Sequence, residues 1–456
     1  MNEEKAFLKM PEYVEPILRI LHEAGSEGFL VGGCVRDSLM GRVPHDWDIC
    51  TAMEPERVLE TFVRQGFAVI PTGLKHGTVT VMSCSEGVEV TTFRTDGTYS
   101  DGRHPDEVAF TAKIEDDLAR RDFTMNAIGF QPETGRFVDP YHGQDDIEKG
   151  IIRCVGVPED RLREDYLRAM RAVRFSAVLG FALEAETEKA IRETAPYLTY
   201  TAKERLRVEI MKLLGGPYAE QALRSYADVI SVVVPELEPC FGFRQNNPYH
   251  IYDVWEHTLH TVGQVPRHSP ALRLAALLHD IGKPSVYVED DKGIGHFRGH
   301  EQVSERLAKS IMRRLRFDNE TLEIVTELVR VHDRSYRLTK AGVSRLLSAI
   351  GDFQFERLMV LREADIKAQN PEFAPERLEE VKQLRILKNQ IMEEHNCFSL
   401  KDLAVNGRDL IRLGFVPGPE IGQVLHTLLD QVIEDPEKNT KETLYALAKE
   451  LRKRQN

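Results

Sequence analysis

The chain has 456 residues, 42% hydrophobic and 29% charged, an ordinary globular composition with length for roughly two to four domains. Its 60 lysines and arginines against 73 aspartates and glutamates give a formal charge of −13. That excludes a global basic coat but leaves room for a local basic groove. Six cysteines (Cys34, Cys50, Cys84, Cys154, Cys240 and Cys397) are scattered without a CxxC pair, so neither a disulfide framework nor a cysteine-ligated zinc is expected. The opening MNEEKAFLKMPEY lacks the layout of a secretion signal, and no apolar run approaches the roughly 18 residues that span a bilayer. A cytoplasmic, reduced protein without a membrane partner is expected.

In chain order, residues 13–24 carry helical apolar spacing and stop at Gly25. Short β-like runs follow at Phe29–Val31, Trp47–Cys50, Phe67–Ile70, Thr78–Met82 and Val88–Phe93, with the helical PERVLETFVRQG between the second and third. This α/β unit closes near DPYHGQDDIEKG (139–150). From Glu159 onward the pattern is helical, broken at 215–217, at 246–248 and around 286–296.

The densest chemistry lies in FLVGGCVRDSLMGRVPHDWDICT (29–51). A strand runs into Gly32-Gly33 and a helix begins. At such a turn the bare backbone of Gly33 lets a phosphate come close to a helix N-terminus, and Arg36 can reach the same anion with its planar fork. The fragment alone is also an ordinary tight turn. Asp46 and Asp48, two apart in a strand, point the same way. Side by side they repel unless they share a cation such as Mg²⁺. Glu89 in VEVTTFR is the candidate third carboxylate from a neighbouring strand. A glycine turn followed by DxD is the layout of a nucleotidyl transferase using two metals.

GGCVRDSLMGRVPHDWDICT, RRDFTMNAIGF (120–130) and EDYLRAMRAVRF (164–175) together resemble the head and neck motifs of class II CCA-adding tRNA nucleotidyltransferases and bacterial poly(A) polymerases. The resemblance covers 29–175 closely and continues loosely to the C-terminus. It implies a polymerase-β-like head with a small mixed sheet, followed by an all-α neck, body and tail. It also implies Mg²⁺ on Asp46 and Asp48, and tRNA, CTP and ATP as partners. Arg121, before a helical MNAIGF, becomes a phosphate or ribose contact. The segment 161–175 reads as one amphipathic helix with five arginines and two acids, a local charge of +3. Asp165 and Arg168, at i and i+3, share a face and offer an acceptor and a donor to a base edge. In the family this motif selects CTP and then ATP. That makes Glu164, Asp165 and Arg168 base-reading, with Arg171 and Arg174 supporting phosphate or packing. The polar loop 94–110 matches a flexible family loop.

Histidines concentrate between His250 and His332. LRLAALLHDIGK ends an apolar helix in adjacent His279 and Asp280, and imidazole with carboxylate suits divalent transition metals. The H…HD…D order resembles the HD phosphohydrolase superfamily. It implies His257, His279, Asp280 and Asp333 as ligands of Mn, Ni, Co or Fe, with His300 and His332 as second-metal or phosphate contacts.

The expected division is a catalytic head (1–150), a nucleotide-selecting and RNA-binding neck (151–240), an HD domain (241–345) and a tRNA-binding tail (346–456). The helical segment 344–371, which resembles the family's body, shows no chemistry of its own. KERLRVEIMK (203–212), RRLRF (313–317) and KELRKRQN (449–456) are basic segments that either contact RNA or form solvated helix faces. The expected activity is CMP, CMP and AMP addition to tRNA 3′ ends with pyrophosphate release, with an HD-type phosphohydrolase beside it. The alternatives are a poly(A) polymerase or an enzyme adding only A or only CC, and a phosphohydrolase with an inert head. The sequence leaves the oligomeric state open.

Overall fold

A computed structural model describes residues 9–97, 99, 107–394 and 398–455. Cys397 and most of the polar loop, 98 and 100–106, lie outside these residues. The chain divides into two compact units, Met1–Pro235 and Glu236–Asn456. Among the described residues no helix is long and apolar enough to cross a membrane.

The first unit opens with α1 (Glu15–Glu23), β1 (Gly28–Val31), α2 (Gly33–Leu39), β2 (Asp48–Thr51) and α3 (Pro55–Arg64). β3 (Ala68–Gly73), β4 (Thr78–Ser83) and β5 (Glu86–Thr92) follow, and β6 (Arg94–Asp96) pairs with β7 (Val108–Phe110) as a separate ribbon. After α4 (Ile114–Ala119) come β8 (Gly129–Gln131), β9 (Arg136–Val138) and α5 (Gly143–Lys149). Seven strands form one mixed sheet in the order β3-β4-β5-β2-β1-β8-β9, with β2 parallel to β5 and the other pairs antiparallel. Strand alternation sends successive side chains to opposite faces. Leu30, Ile49, Val88 and Val90 pack with Ile17, Leu21, Val58 and Phe62 on one side, while Phe29, Val31 and Cys50 pack with Ile114 and Leu118 on the other.

Two expectations are corrected here. MNAIGF is not helical: a single 3₁₀ turn, Thr124–Asn126, leads into β8, because Ile128 and Phe130 alternate into the apolar layer beneath the sheet. The segment 161–175 is not one helix. It is α6 (Pro158–Glu164) and α7 (Leu167–Leu179), separated at Asp165, whose φ of −148° and ψ of 103° are extended. The break is fastened by Asp165 itself, which accepts from the Leu167 amide at 3.1 Å and from Arg205 at 3.1 and 2.6 Å. Helices α8 (Ala185–Thr194), α9 (Lys203–Leu214), α10 (Ala219–Ser225) and α11 (Ala227–Val233) complete this unit.

Among its described residues the second unit is helical apart from one short ribbon, β10 (Val288–Glu289) paired with β11 (Gly295–His296). Its central helices are α12 (Val254–Gln264), α13 (Pro270–Leu278), α14 (Lys283–Val286), α15 (His300–Arg314), α16 (Asn319–Val331), α17 (Lys340–Ile350), α18 (Asp352–Lys367) and α19 (Ala374–Glu393). A separate apolar cluster around Leu410, Leu428 and Leu444 holds the last helices together.

Candidate active site and metal centre

β1 ends at Val31, and the chain turns through Gly32 with φ +75° and ψ −130°, a conformation essentially confined to glycine. A Cβ on Gly32 would sit 2.8 Å from Nη1 of Arg121 and 3.9 Å from Oδ2 of Asp48. The turn therefore brings bare backbone, a guanidinium and a carboxylate together. Arg121 is held there by Asp117 (3.3 Å), by the Cys50 sulfur (3.6 Å) and by the Asn126 carbonyl (3.5 Å), and its Nε is buried without a hydrogen-bond partner. Gly33 is less constrained, since a Cβ there meets only Nη2 of Arg36 at 3.7 Å.

Asp48 opens β2 and lies in register with Glu89 of β5. The expectation that Asp46 and Asp48 share a strand is corrected. The strand begins at Asp48, and Asp46 is exposed two residues before it, with Trp47 buried between them. The three acids still act on one another. Burial, Glu89 and Asp46 push the Asp48 carboxyl up to about 6 against the opposing pull of Arg121. A carboxylate so raised by its neighbours is the donor set that a divalent cation satisfies.

Arg36 does not reach outward as expected. It is buried, donates through Nη1 to Asn126 at 2.7 Å and through Nε to Asp37 at 2.8 Å, and lies 5.0 Å from the Phe175 ring centroid. The neck arginines are likewise engaged. Arg171 donates twice to Asp122, at 2.8 and 2.6 Å, and Arg174 donates to Glu209 at 2.9 Å. Burial opposes charge on Asp122, but Arg171, Asn126 and Arg168 hold its carboxyl well below the usual range. Arg168 pairs with Glu164 at 2.5 Å and caps the Arg161 carbonyl at 2.7 Å, whereas Asp165 pairs with Arg205. Asp165 and Arg168 are thus neighbours across a helix break rather than an i,i+3 pair on one helix. Sequence reading gave no role to Asp117, Asp122, Asn126, Arg205 or Glu209; the RRDFTMN motif contained two of them.

In the second unit, four imidazoles converge on Asp280. The Nδ1 atoms of His257, His279, His300 and His332 lie 3.2, 2.7, 2.9 and 2.7 Å from the carbonyls of Ala368, Ala276, Phe297 and Val329. A carbonyl only accepts, so each Nδ1 donates and each Nε2 points its lone pair inward. Nε2 atoms face each other at 3.3 Å in both pairs, His257 with His279 and His300 with His332. Such lone pairs repel unless a proton or a cation lies between them. His257 lies 3.0 Å from Asp365, and Asp280 lies 3.2 Å from His279, 3.3 Å from His300 and 2.6 Å from Lys283. Burial opposes a second proton on His257, yet Asp280 and Asp365 push the imidazole up to about 9. A divalent transition metal would take the place of that proton, bound by the inward-facing Nε2 atoms and the buried carboxylates.

Asp333 is corrected as a ligand. It is exposed beyond the end of α16. The carboxylate that joins His257 and His279 is Asp365 of α18, within the segment read as having no chemistry. A cavity of about 870 Å³ opens over the cluster, bordered by Lys283, Arg298, Arg377, Tyr249 and Phe373.

A mixed sheet with a glycine turn, an anchored arginine and clustered carboxylates at its central strands defines a nucleotidyltransferase head. Residues 28–153 match the family model described as the poly A polymerase head domain, 180–240 the probable RNA and SrmB-binding site of polymerase A, and 300–448 the tRNA nucleotidyltransferase domain 2. The CCA-adding enzyme of Leuconostoc mesenteroides is 33% identical over 444 residues, 97% of each chain. That of Geobacillus stearothermophilus is 49% identical over 212 residues, 46% of this chain and 51% of the relative. A crystal structure of the Bacillus stearothermophilus CCA-adding enzyme with CTP matches 98% of this chain and 99% of its own, with a TM-score of 0.72 and 30% identity. The chain belongs to the family of CCA-adding enzymes.

Proposed function

We propose that this chain adds CMP, CMP and AMP to the 3′ end of tRNA from CTP and ATP, releasing pyrophosphate. The observation that carries the reading is Asp48 in register with Glu89, flanked by Asp46 and faced by Arg121 at the Gly32 turn. The primer's terminal 3′-hydroxyl attacks the α-phosphate, and the bond to pyrophosphate breaks. Asp46 and Asp48, with Glu89 beside them, would hold Mg²⁺, which when bound polarises the phosphoryl group and stabilises the leaving pyrophosphate. Gly32 admits the triphosphate to the backbone, and Arg121, locked by Asp117, meets its charge with a fixed donor array. Asp165 and Arg168, oriented by Arg205 and Glu164, offer their remaining acceptor and donor positions to the base edge. We take 1–150 as head, 151–240 as neck and the cytoplasm as the site of action. Asp46→Ala combined with Asp48→Ala abolishes incorporation while tRNA still binds. Retained incorporation sinks the assignment. CTP and ATP given separately and together to tRNA lacking CCA separate CCA addition from an A ladder.

A second reading concerns the other unit. The convergent Nε2 atoms favour a divalent-metal phosphohydrolase with His257, His279, Asp280 and Asp365 as ligands and His300 and His332 at a second position. The metal when bound would activate water for attack on a phosphoester. Phosphate release that survives Asp48→Ala but not His279→Ala tests this.

A further inference from the structure

Three tyrosines of the neck form a column. The rings of Tyr166 and Tyr197 lie 5.1 Å apart and 23° from parallel, and those of Tyr197 and Tyr200 lie 6.4 Å apart and 24° from parallel. Exposure rises along the column. Tyr166 is half-buried, Tyr197 is 45% exposed and Tyr200 is 80% exposed. Near-parallel offset rings are a favourable aromatic geometry, but an 80% exposed terminal ring leaves a flat apolar face in water.

Its position gives the column meaning. Tyr166 directly follows Asp165, and Tyr197 and Tyr200 stand on the 3₁₀ turn Ala195–Tyr200 just before α9. α9 supplies Arg205 to Asp165. It also supplies Lys203, whose Nζ donates to the Thr199 carbonyl at 2.9 Å beside Tyr200. One end of the column therefore abuts the segment read as base-selecting, and the other opens to solvent beside a cation. Flat faces in series next to a positive group are how proteins hold unpaired nucleotides without reading their sequence. Sequence tolerance is what this primer needs, because its terminal base changes after each addition.

We infer that Tyr166, Tyr197 and Tyr200 form a stacking platform for the unpaired 3′-terminal bases of the tRNA primer, continuing on the open face of Tyr200. This rests on the reading of tRNA as substrate. The occupant is single-stranded RNA rather than free nucleotide, because successive bases of a strand extend the column beyond Tyr200 whereas a mononucleotide adds one ring.

The test uses the full chain and a tRNA lacking CCA with 2-aminopurine as its last unpaired base, whose fluorescence falls when it stacks. Binding to the unsubstituted protein quenches the probe. Tyr197→Leu with Tyr200→Leu removes the quenching and raises KM for tRNA roughly tenfold, while KM for CTP stays within twofold. Tyr197→Phe with Tyr200→Phe, which keeps the ring faces, retains both quenching and KM. Absence of quenching with the unsubstituted protein overturns the platform, and that measurement does not depend on any variant folding. Quenching that persists in the leucine variant, or KM for CTP rising in step with KM for tRNA, also overturns it. Unsubstituted protein that quenches the probe but incorporates no CMP refutes the proposed activity and leaves the platform standing.

Discussion

Replacing Gly32 by alanine tests the central geometry of the head. The backbone cost comes first. With φ +75° and ψ −130°, Gly32 occupies a region where a side chain costs roughly 1–3 kcal/mol. The steric cost adds to it. The new Cβ would lie 2.8 Å from Nη1 of Arg121, and Arg121 has little freedom to retreat because Asp117, Cys50 and the Asn126 carbonyl hold it. About 2 kcal/mol from the backbone alone lowers Tm by about 4–8 °C for a unit of this size. Displacing Arg121 should also reduce CMP incorporation by at least about tenfold, the equivalent of losing ~1.4 kcal/mol of phosphate stabilisation. Gly33→Ala is the paired experiment. Its Cβ meets nothing nearer than 3.7 Å, so Tm should stay within about 1 °C. Thermal melts with single-turnover incorporation on both variants decide the matter. If Gly32→Ala melts and incorporates like the unsubstituted protein, the turn does not position Arg121.

Asp365→Asn should cost the second unit most of its bound divalent metal while Asp333→Asn keeps it, measured by elemental analysis of purified protein; equal metal contents would reject the corrected ligand set. Asp122→Asn removes the charge that the Arg171 fork grips at 2.6 Å and should destabilise the first unit by about 2–3 kcal/mol at pH 7, at the low end for a broken buried pair because Arg171 is partly solvated. Because the folded carboxyl of Asp122 lies below its unfolded value of about 3.9, this stability is present above pH ~4 and is lost as pH falls further. Urea titrations should therefore show the gap between variant and parent narrowing below pH 4, and a gap independent of pH would refute the ion pair. Arg205→Ala frees Asp165 from its anchor on α9 and should raise misincorporation of UMP or GMP roughly tenfold; unchanged nucleotide discrimination would show that Arg205 does not position Asp165.

What could be read from the sequence divides along physical lines. The pair Asp46 and Asp48 was legible because two carboxylates set two residues apart repel unless a cation lies between them. The strand's start at Asp48, which leaves Asp46 outside it, was not, because boundaries depend on ladder pairing with β1 and β5. β8 escaped because three residues carry too short an alternation to distinguish strand from helix. The histidines announced a metal site by chemistry, yet Asp365 was invisible. A single aspartate on a helix looks solvated until α18 packs on α12 and buries it beside His257.

The neck shows how a count of charges misleads about a site. Five arginines against two acids along 161–175 suggest a bare cationic helix waiting for phosphate. In the fold, Arg174 and Arg171 face Glu209 and Asp122, acids 35 and 49 residues away in sequence. Arg168 and Arg161 share Glu164. Each pairing fixes an orientation and removes a free charge, so these arginines act first as a rigid frame. A frame of paired charges suits an enzyme that must accept two different nucleotides in turn, because free cations would attract any triphosphate equally. Discrimination has to come from donors and acceptors with fixed directions, and Asp165, pinned by Arg205 at a helix break, supplies one.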